Sequence, residues 1–376
     1  MKICYITHAS NLTGANQSLL DILSYIQNSK IEPFVLLRSP GPIEDELEKR
    51  NIPYNIIPYK NSVMPSRRSR YLAKLLYNHV AALRIQFFFK RQQFDIIHNN
   101  CLLASVGMEA AYRAGIPYIC HNRELIWEDH HVQLMNWRRQ LFLLKNAAIA
   151  LEISDYVCRK FQVLVPEARF RVLHDGIDIN KYYQMHDELF NKNTIQILFA
   201  GRISETKRPL EAIKALESLQ KRCNRTVKLI IAGCTGKGEY ESEIRNYVTS
   251  RNIQNIIFQP FCDLQQLRRE SDIVLMCSEA EGLGRVTIEG QLSGCLVIGA
   301  AAGATKEIIK NNETGLLYEL GNPKKLADML LYALEHPKEM NQIAQRGQTF
   351  AKEKFDISSY VSKLNKIYSS IVENNK

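Results

Sequence analysis

The stretch from Glu281 to Glu289 reads E-G-L-G-R-V-T-I-E and decides how the fold of this chain is interpreted. It follows an apolar run over residues 272–278 that is typical of a buried strand. A helix-like run to Gly294 and a second apolar strand over residues 296–299 come after it. The pattern predicts a strand, a loop that carries one carboxylate, and a helix that carries a second carboxylate about two turns along.

The chemistry of this stretch suits an anionic ligand. Gly282 and Gly284 have no side chains, so backbone N–H groups at the positive end of the helix can approach a phosphate closely. Glu289, on the same helix, is placed to accept hydrogen bonds from hydroxyl groups. A second interpretation fits the nine residues equally well: a structural helix cap, with Glu281 favouring the helix dipole and Glu289 solvated at the surface.

A longer signature around this stretch resembles that of the retaining GT-B-fold glycosyltransferases. The resemblance is to the family 4-like group, which includes bacterial polysaccharide, sucrose and phosphatidylinositol mannosyl transferases. The chain departs from the family pattern at uncharged positions: Leu283 replaces Phe, Gly290 and Gln291 replace Ala-Met, Leu296 replaces Pro, and Ala304 replaces a Gly. The matching residues are Ser278, Glu281, Gly282, Gly284, Glu289, Gly294, Val297, Ile298, Gly303, Glu307, Thr314, Gly315 and Leu317.

Length and composition indicate an ordinary globular protein of two domains. The chain has 376 residues, 45% hydrophobic and 23% charged, and we find no low-complexity tract or internal repeat. The net charge of +10 favours anionic partners: phosphorylated ligands, nucleic acid or an anionic membrane surface.

The lack of a recognisable signal-peptide pattern and the usage of cysteine predict a cytoplasmic protein. The first residues, M-K-I-C-Y-I-T-H, lack the apolar core of a signal peptide, and no run of about 18 apolar residues is present. The nine cysteines are odd in number and contain no C-x-x-C pair. We therefore expect reduced, buried thiols.

Strands and helices alternate along both halves of the chain, which predicts two Rossmann-like α/β domains with parallel sheets. The resemblance implies the GT-B fold, in which the two sheets face a central cleft. We expect an N-terminal acceptor domain over residues 1–178 and a donor domain over residues 179–356. The last helix, about residues 357–376, is expected to pack back on the first domain, and the polar stretch 175–193 is interpreted as a hinge. The predicted strands cover residues 3–7, 34–37, 54–57, 95–98, 118–121, 147–153, 195–200, 227–232, 256–259, 273–277, 296–299 and 316–318.

Two other nucleotide-site classes are disfavoured. The chain carries no G-x-G-x-x-G, which argues against a nicotinamide or flavin site. Residues 233–238, G-C-T-G-K-G, are superficially like a P-loop, but the glycine spacing is wrong and no Ser or Thr follows the Lys. They look instead like the V-G-x-G loop at a strand end in the resembling family.

A basic loop in the second half provides the diphosphate candidates. Gly201 and Arg202 end the first strand of the second domain, and Lys207 follows five residues later. A planar guanidinium and a compact ammonium on one loop suit a diphosphate. The run resembles the family's G-R-x-x-x-x-K element, which implies that both cations hold the donor diphosphate. An ordinary solvated loop is the alternative.

The first half offers weaker candidates. Gly14, in T-G-A-N after the first strand, resembles a family loop that normally has two glycines and faces the donor. His121, in C-H-N-R-E, matches a family histidine that touches the donor sugar, although a structural histidine is an equal alternative. Arg123 and Glu124 are candidates for the acceptor side. The run 128–131, E-D-H-H, is interpreted as loop surface rather than as metal ligands.

Similarly, H-D-G-I-D over residues 174–178 resembles the family's N-G-I-D, with Asp175 in place of Asn, and is expected to serve connection geometry.

The expected chemistry uses no metal ion. The chain has no D-x-D triplet to hold a divalent cation, so Arg202, Lys207 and the amides near Arg285 would neutralise the leaving diphosphate. Glu281 and Glu289, about 12 Å apart if the helix is continuous, are poor partners for glycosidase chemistry. The resemblance implies front-face substitution, with Glu281 on the sugar hydroxyls and Glu289 on the ribose diol. No cofactor is expected besides the nucleotide sugar itself.

A basic and aromatic helix over residues 67–91 can rest on an anionic membrane surface, and Trp137 with its following arginines repeats the mixture. An ordinary amphipathic helix is the alternative, and no nucleic-acid motif is present. We therefore expect a cytoplasmic, membrane-peripheral, retaining hexosyltransferase that uses a UDP-linked sugar and a glycan or lipid-linked acceptor. A nucleotide-sugar epimerase of the same architecture and a non-catalytic partner subunit are the alternatives.

Overall fold

The computed structural model describes residues 1–26, 30–130, 132–185, 188–260 and 262–374. The chain divides into two compact units. The first combines Met1–Ile177 with Ile357–Lys376, and the second is Asp178–Asp356.

The first unit is built on a seven-stranded parallel sheet in the order β3-β2-β1-β4-β5-β6-β7. A parallel sheet needs crossover helices, and these cover it between successive strands. The strands are β1 Lys2–Ile6, β2 Glu32–Leu37, β3 Tyr54–Ile56, β4 Ile96–Asn99, β5 Tyr118–Asn122, β6 Ile149–Glu152 and β7 Phe170–Val172. The helices are α1 Gly14–Ile26, α2 Ile43–Lys49, α3 Tyr71–Gln92, α4 Ser105–Ala114, α5 Ile126–His130, α6 Trp137–Lys145 and α7 Asp155–Leu164.

The last helix of the chain, α16 Ile357–Glu373, also belongs to the first unit. Its side chains Tyr360, Leu364 and Tyr368 are buried in the same core as Ile3 and Tyr5 of β1. The spacing of these residues places them on one face of the helix, and that face completes the core.

The second unit has a six-stranded parallel sheet in the order β10-β9-β8-β11-β12-β13. Its strands are β8 Thr194–Ala200, β9 Thr226–Cys234, β10 Ile256–Pro260, β11 Ile273–Met276, β12 Leu296–Ala300 and β13 Leu316–Tyr318. Its helices are α8 Ile179–Tyr182, α9 Pro209–Gln220, α10 Glu239–Ser250, α11 Leu264–Glu270, α12 Arg285–Leu292, α13 Thr305–Ile308, α14 Pro323–Glu335 and α15 Pro337–Lys354.

The strand order decides where ligands can bind in each unit. In the second sheet, β8 lies between β9 and β11, so the direction of winding reverses beside it. Loops that leave β8 and β11 diverge at such a switch point and open a crevice at the carboxyl ends of the strands. The first sheet has the same arrangement at β1 and β4.

The expected α/β fold with two parallel sheets is confirmed, but two local expectations differ. Leu189 and Phe190 lie in the stretch expected to be a polar hinge, yet they are buried in the core of the second unit. Residues 186 and 187 of that stretch lie outside the described residues. Strand β7 was not predicted, because its three residues are partly exposed and include an arginine.

Across the described part of the chain, no helix combines the length and the hydropathy needed to cross a bilayer.

Candidate functional site

Two loops of the second unit bring the main candidates together. The Nζ atom of Lys207, on the loop after β8, lies 2.6 Å from Oε1 of Glu281, on the loop after β11. The backbone N–H of Glu279 donates to the carbonyl of Thr206 and ties the two loops together. Both charged side chains are largely shielded from solvent, with 16% and 13% exposed. An ammonium and a carboxylate are therefore held side by side at the switch point of the sheet.

The backbone of Glu281 is positioned by the loop after β12. The N–H of Ala304 donates to the carbonyl of Glu281. Gly303 has φ +54°, and a Cβ atom there would lie 2.7 Å from the Glu281 nitrogen. A side chain at this position would therefore be strained and would also push Glu281 away. This glycine of the signature places the carboxylate.

Helix α12 begins only at Arg285, after Gly284 with φ +87°. No side chain caps it in the part of the chain that the structure describes. Gly282 and Leu283 lie in the preceding loop, where Leu283 is buried. The structure has the predicted loop with Glu281 and the predicted helix with Glu289, but the helix begins at Arg285 rather than at the first glycine, so the spacing of about 12 Å derived from a continuous helical rise does not apply.

Glu289 is buried rather than solvated, so the alternative of a surface residue is wrong. Its Oε2 lies 3.0 Å from Nη1 of Arg268, and its Oε1 lies 3.6 Å from Nε of Arg285. Arg268 in turn stacks on the ring of Tyr182. A carboxylate has about four lone-pair sites, so Glu289 can still accept hydrogen bonds from hydroxyl groups.

Arg268 was missed by sequence reasoning. It lies in the charged helix α11, L-Q-Q-L-R-R-E, where nothing distinguishes it from its exposed neighbour Arg269. Only the tertiary contact shows that one of the two arginines is buried against Glu289.

The loop after β8 lies close against β9. The N–H of Gly201 donates to the carbonyl of Ala232, and a side chain at Gly233 would overlap the Gly201 carbonyl. Gly233, which sequence reasoning assigned only to a strand-end loop, makes this close approach possible. Arg202 is exposed on the same loop. Arg208 forms ion pairs with Glu211 and Glu279, so we interpret it as a structural residue.

In the first unit, His121 lies at the end of β5 and is fully buried. Its Nδ1 is 3.1 Å from Nη2 of Arg123 and 3.2 Å from Nε2 of His98. Burial, followed by the charge of Arg123 and the neighbouring His98, lowers the pKa of His121 well below its usual value. The ring is therefore neutral at physiological pH.

The contacts of His121 decide which of its nitrogens carries the proton. A guanidinium only donates, so Nδ1 of His121 accepts and the proton sits on Nε2. Nε2 is buried and has no hydrogen-bond partner among the described residues. His121 therefore carries an N–H donor that no described residue satisfies.

Arg123, expected to line the acceptor side, is buried instead. It forms a close ion pair with Asp175, and its Nε donates to Oδ1 of Asn100. Both side chains of the ion pair are 1% exposed. Asp175 was expected to shape the connection that follows the last strand of the first domain. In the structure it also holds Arg123 against His121.

Two further expectations concern loops of the first unit. Gly14 begins α1, and a Cβ atom there would meet nothing within 4 Å among the described residues. The run 128–131 lies mostly on helix α5 rather than on a loop, and Glu128 pairs with Lys160. The side chains of residues 129 and 130, and all of residue 131, lie outside the described residues.

A cluster that the sequence did not indicate lies at the ends of three adjacent strands, β1, β4 and β5. Nε2 of His8 is 3.5 Å from Oε1 of Glu124, and the thiol of Cys101 donates to Oε2 of Glu124. The potential ligand atoms lie within 4.8 Å of one another. A sulfur, a nitrogen and an oxygen suit zinc rather than magnesium. Burial, and next the charge of Glu124, raises the pKa of Cys101, so the thiol is protonated in this arrangement.

The two halves of the chain match two family models. Residues 12–181 match the model described as Glycosyltransferase Family 4. Residues 183–350 match the model described as Glycosyl transferases group 1.

Several characterised or solved proteins are similar to the whole chain. The UDP-Gal:alpha-D-GlcNAc-diphosphoundecaprenol alpha-1,3-galactosyltransferase of Escherichia coli is 20% identical, over 100% of this chain and 98% of its own. The GalNAc-alpha-(1->4)-GalNAc-alpha-(1->3)-diNAcBac-PP-undecaprenol alpha-1,4-N-acetyl-D-galactosaminyltransferase of Campylobacter jejuni is 26% identical, over 95% of each chain. The crystal structure of Anabaena HepE in complex with UDP-glucose is 23% identical with a TM-score of 0.81, over 98% of this chain and 100% of its own. This structural likeness places the fold in the GT-B class.

Proposed function

We propose that this chain, which belongs to the family 4-like glycosyltransferases with the GT-B fold, moves a hexose-type sugar from a UDP-linked donor to a hydroxyl acceptor with retention of configuration. The observation that carries the proposal is the Lys207–Glu281 pair, held between two tied loops at the switch point of the second sheet. A cation beside a carboxylate matches a donor that carries a diphosphate next to sugar hydroxyls.

The leaving diphosphate is neutralised by groups of the protein in this proposal. Arg202 and Lys207 supply fixed positive charge, and the N–H groups at the start of α12 supply hydrogen-bond donors. Such preorganised donors stabilise charge that develops in the transition state. The reaction then needs no divalent cation. The cluster of His8, Cys101 and Glu124 belongs to the first unit.

The roles of the other candidates follow the same scheme. Glu281 accepts hydrogen bonds from the donor sugar, and Glu289, held by Arg268 and Arg285, accepts them from the ribose diol. The family resemblance assigns His121 to the donor sugar, and its Nε2–H has no hydrogen-bond partner among the described residues. The leaving diphosphate oxygen takes the proton of the attacking hydroxyl as the new glycosidic bond forms on the same face.

The relatives support the choice of substrates. The Escherichia coli relative uses UDP-Gal, the solved Anabaena protein binds UDP-glucose, and both bacterial relatives act on undecaprenol-linked diphosphates by name. We therefore propose a UDP-sugar as donor and a lipid-linked or cell-surface glycan precursor as acceptor. A protein with such an acceptor works in the cytoplasm at the inner face of the membrane.

One experiment separates transfer from the two alternatives. The protein is incubated with a panel of nucleotide sugars, with and without a membrane extract that supplies lipid-linked acceptors. Donor consumption that requires the extract supports transfer. Consumption without the extract supports an epimerase or hydrolase, and donor binding without consumption supports a non-catalytic subunit. The anomeric configuration of the transferred sugar, measured by NMR of the product, tests retention.

A further inference from the structure

Three side chains that zinc can bind meet at the carboxyl ends of adjacent strands in the first unit. His8 follows β1, Cys101 follows β4 and Glu124 follows β5, and these strands are neighbours in the sheet. Cys101 is 1% exposed, and the side chains of His8 and Glu124 are 9% and 16% exposed. We call these residues the three-ligand cluster. A nitrogen, a sulfur and a carboxylate from distant parts of the chain are thus gathered in one shielded place.

The distances within the three-ligand cluster fit a single zinc ion. Nε2 of His8 lies 3.5 Å from Oε1 of Glu124, and Sγ of Cys101 lies 3.4 Å from Oε2 of the same carboxylate. Zinc bonds of about 2.3 Å to sulfur and about 2.0–2.1 Å to nitrogen and oxygen place tetrahedral ligand atoms roughly 3.4–3.6 Å apart. All the potential ligand atoms lie within 4.8 Å of one another, so small side-chain rotations suffice to complete the geometry.

Hydrogen bonds tie together the loops that carry the three-ligand cluster. The backbone N–H of Asn100 donates to the carbonyl of Ile6, which joins the loop after β4 to the end of β1. Nε of Arg123 donates to Oδ1 of Asn100 at 3.0 Å, which joins the loop of Glu124 to the same place. The ligands are therefore positioned before an ion binds, and less conformational freedom is lost on binding.

The charges of the three-ligand cluster suit a divalent cation. As thiolate and carboxylate, Cys101 and Glu124 carry two negative charges, which balance those of zinc, so that no net charge is buried. In the structure the thiol of Cys101 donates a hydrogen bond to Glu124, and zinc would replace that proton. The sulfur ligand disfavours magnesium and calcium, which prefer oxygen.

We propose that His8, Cys101 and Glu124 bind one zinc ion in the first unit, through Nε2, Sγ and the carboxylate group. The partial exposure of His8 and Glu124 gives the ion a way in and leaves room for water as a further ligand. The ion joins three loops at the switch point of the first sheet, so it stabilises the folded first unit. A hydrogen-bonded network that binds no metal ion is the alternative.

This inference goes beyond the proposed function and does not rest on it. Zinc binding is measured without any nucleotide sugar, and the donor diphosphate is assigned to Arg202 and Lys207 of the second unit. We expect donor affinity to be the same with zinc as with a chelator. A failure of zinc binding would leave the transfer function standing, and a failure of transfer would leave the zinc site standing.

Cobalt(II) is the spectroscopic probe, because it occupies tetrahedral zinc sites and its bond to a thiolate absorbs in the near ultraviolet. The full chain is stripped with a chelator, dialysed into a phosphine reductant and titrated with cobalt chloride. We expect a thiolate-to-cobalt absorption that saturates at one ion per chain and disappears when zinc, but not excess magnesium, is added. Calorimetric titration with zinc should give a Kd of about 1 µM or tighter.

Matched variants test the ligands at nearly constant side-chain volume. C101S should abolish the thiolate-to-cobalt absorption, and both C101S and E124Q should weaken zinc binding at least about a hundredfold. The control C223S removes a partly exposed cysteine of the second unit and should keep the full absorption and affinity. Zinc should raise the melting temperature of the unmodified protein and of C223S, but not that of C101S. Circular dichroism spectra show whether each variant is folded.

Three results would overturn the proposal. The first is an unmodified protein that shows no thiolate-to-cobalt absorption at saturating cobalt, a result that does not depend on the folding of any variant. The second is an equal absorption in C101S, which would place the ion on another cysteine. The third is a melting temperature of the unmodified protein that zinc leaves unchanged.

Discussion

Lys207 and Glu281 are 74 positions apart in the chain, yet their charged atoms are 2.6 Å apart. Without ligand, each neutralises the other, so neither charge is left uncompensated in the shielded crevice. A diphosphate that enters can share the ammonium, while sugar hydroxyls share the carboxylate. The pair would therefore lie where the diphosphate of a donor joins its sugar, with the ammonium on the diphosphate and the carboxylate on the sugar.

Residue types in the site were predictable from the sequence, but their partners were not. The signature predicted Lys207, Glu281 and Glu289 as candidates, whereas the Lys207–Glu281 contact depends on two loops that only the sheet order brings together. Arg123 shows the same limit. Its sequence position after His121 suggested a residue that lines the acceptor side, and its burial against Asp175 is a tertiary property.

The hydrogen bonds of Arg123 and Tyr368 are expected to decide which ring nitrogens of His98 and His121 carry a proton. Because Nδ1 of His121 accepts from Arg123, the shared proton sits on Nε2 of His98. Nδ1 of His98 lies 2.8 Å from the Tyr368 hydroxyl, which is also 3.1 Å from the Tyr5 hydroxyl. Burial lowers the pKa of His98 to about 3. Nitrogen-15 NMR of labelled histidine should show both rings neutral with the proton on Nε2. In Y368F, the His98 Nδ1 signal should move toward that of an unbonded acceptor, while His121 keeps its tautomer.

An imidazolium signal for either ring at about pH 6, or a proton on Nδ1 of His121, would contradict this assignment.

Glu152 gives a pH dependence with a definite sign. Burial raises the pKa of this carboxyl group to about 8, and Asn122 donates to its Oε1 at 2.6 Å. In the unfolded chain the pKa is about 4.3. The folded state therefore binds the proton more tightly, and the resulting stability is fully present below about pH 4.3 and is lost as the pH rises through about 8.

The variant E152Q keeps the acceptor for Asn122 and removes the titration. Between about pH 5 and about pH 8, the melting temperature of the first unit should fall more in the unmodified protein than in E152Q. Thermal unfolding followed by circular dichroism measures the difference. Parallel pH profiles for the two proteins would mean that Glu152 is not protonated in the folded state.

At the scale of elements, periodicity was a good guide to the strands and helices of both sheets. The predicted strands differ from the observed ones by a residue or two at their ends. Periodicity failed where tertiary contacts decide. The two glycines after Glu281 were expected to open the helix, but Gly284 has a positive φ and the helix begins only at Arg285.

The loop that carries Gly303 should control activity through the position of Glu281. G303A introduces a side chain 2.7 Å from the Glu281 nitrogen, whereas G236A has a similar positive φ and meets nothing within 4 Å among the described residues. Both should lose about 1–2 kcal/mol of stability from backbone strain, and G303A should lose more because its Cβ also overlaps the Glu281 backbone. Only G303A should reduce kcat/KM for the donor, by about tenfold or more, because the carboxylate is displaced. Equal kinetics in the two variants would show that Glu281 is not placed by this contact.

For the whole molecule, the order of segments along the chain decides which of them build each hydrophobic core. The first unit is discontinuous, because α16 at the end of the chain fills the core that begins with β1. The return of α16 to the first unit was expected only from the family resemblance. The second unit is continuous and has its own core.

The two units should therefore behave differently when expressed alone. Residues 178–356 contain a complete sheet and both diphosphate-side loops, so this fragment should unfold cooperatively and bind a nucleotide sugar. Residues 1–177 lack Tyr360, Leu364 and Tyr368 and should fail to fold. Circular dichroism melting curves of both fragments test this. A cooperative transition for residues 1–177 alone would show that α16 is dispensable to the first core.

The most direct test of the account is calorimetric titration of the protein with nucleotide sugars in a buffer that contains a chelator. We expect the unmodified protein to bind a UDP-sugar as tightly with the chelator as without it. We also expect R202A/K207A to lose about a hundredfold or more in affinity, since each charge-assisted contact contributes about 1.5–3 kcal/mol. The control K221A, which removes an exposed lysine paired with Glu217, should bind normally. Unchanged affinity of R202A/K207A for every nucleotide sugar, or loss of binding by the unmodified protein in the chelator, would contradict it.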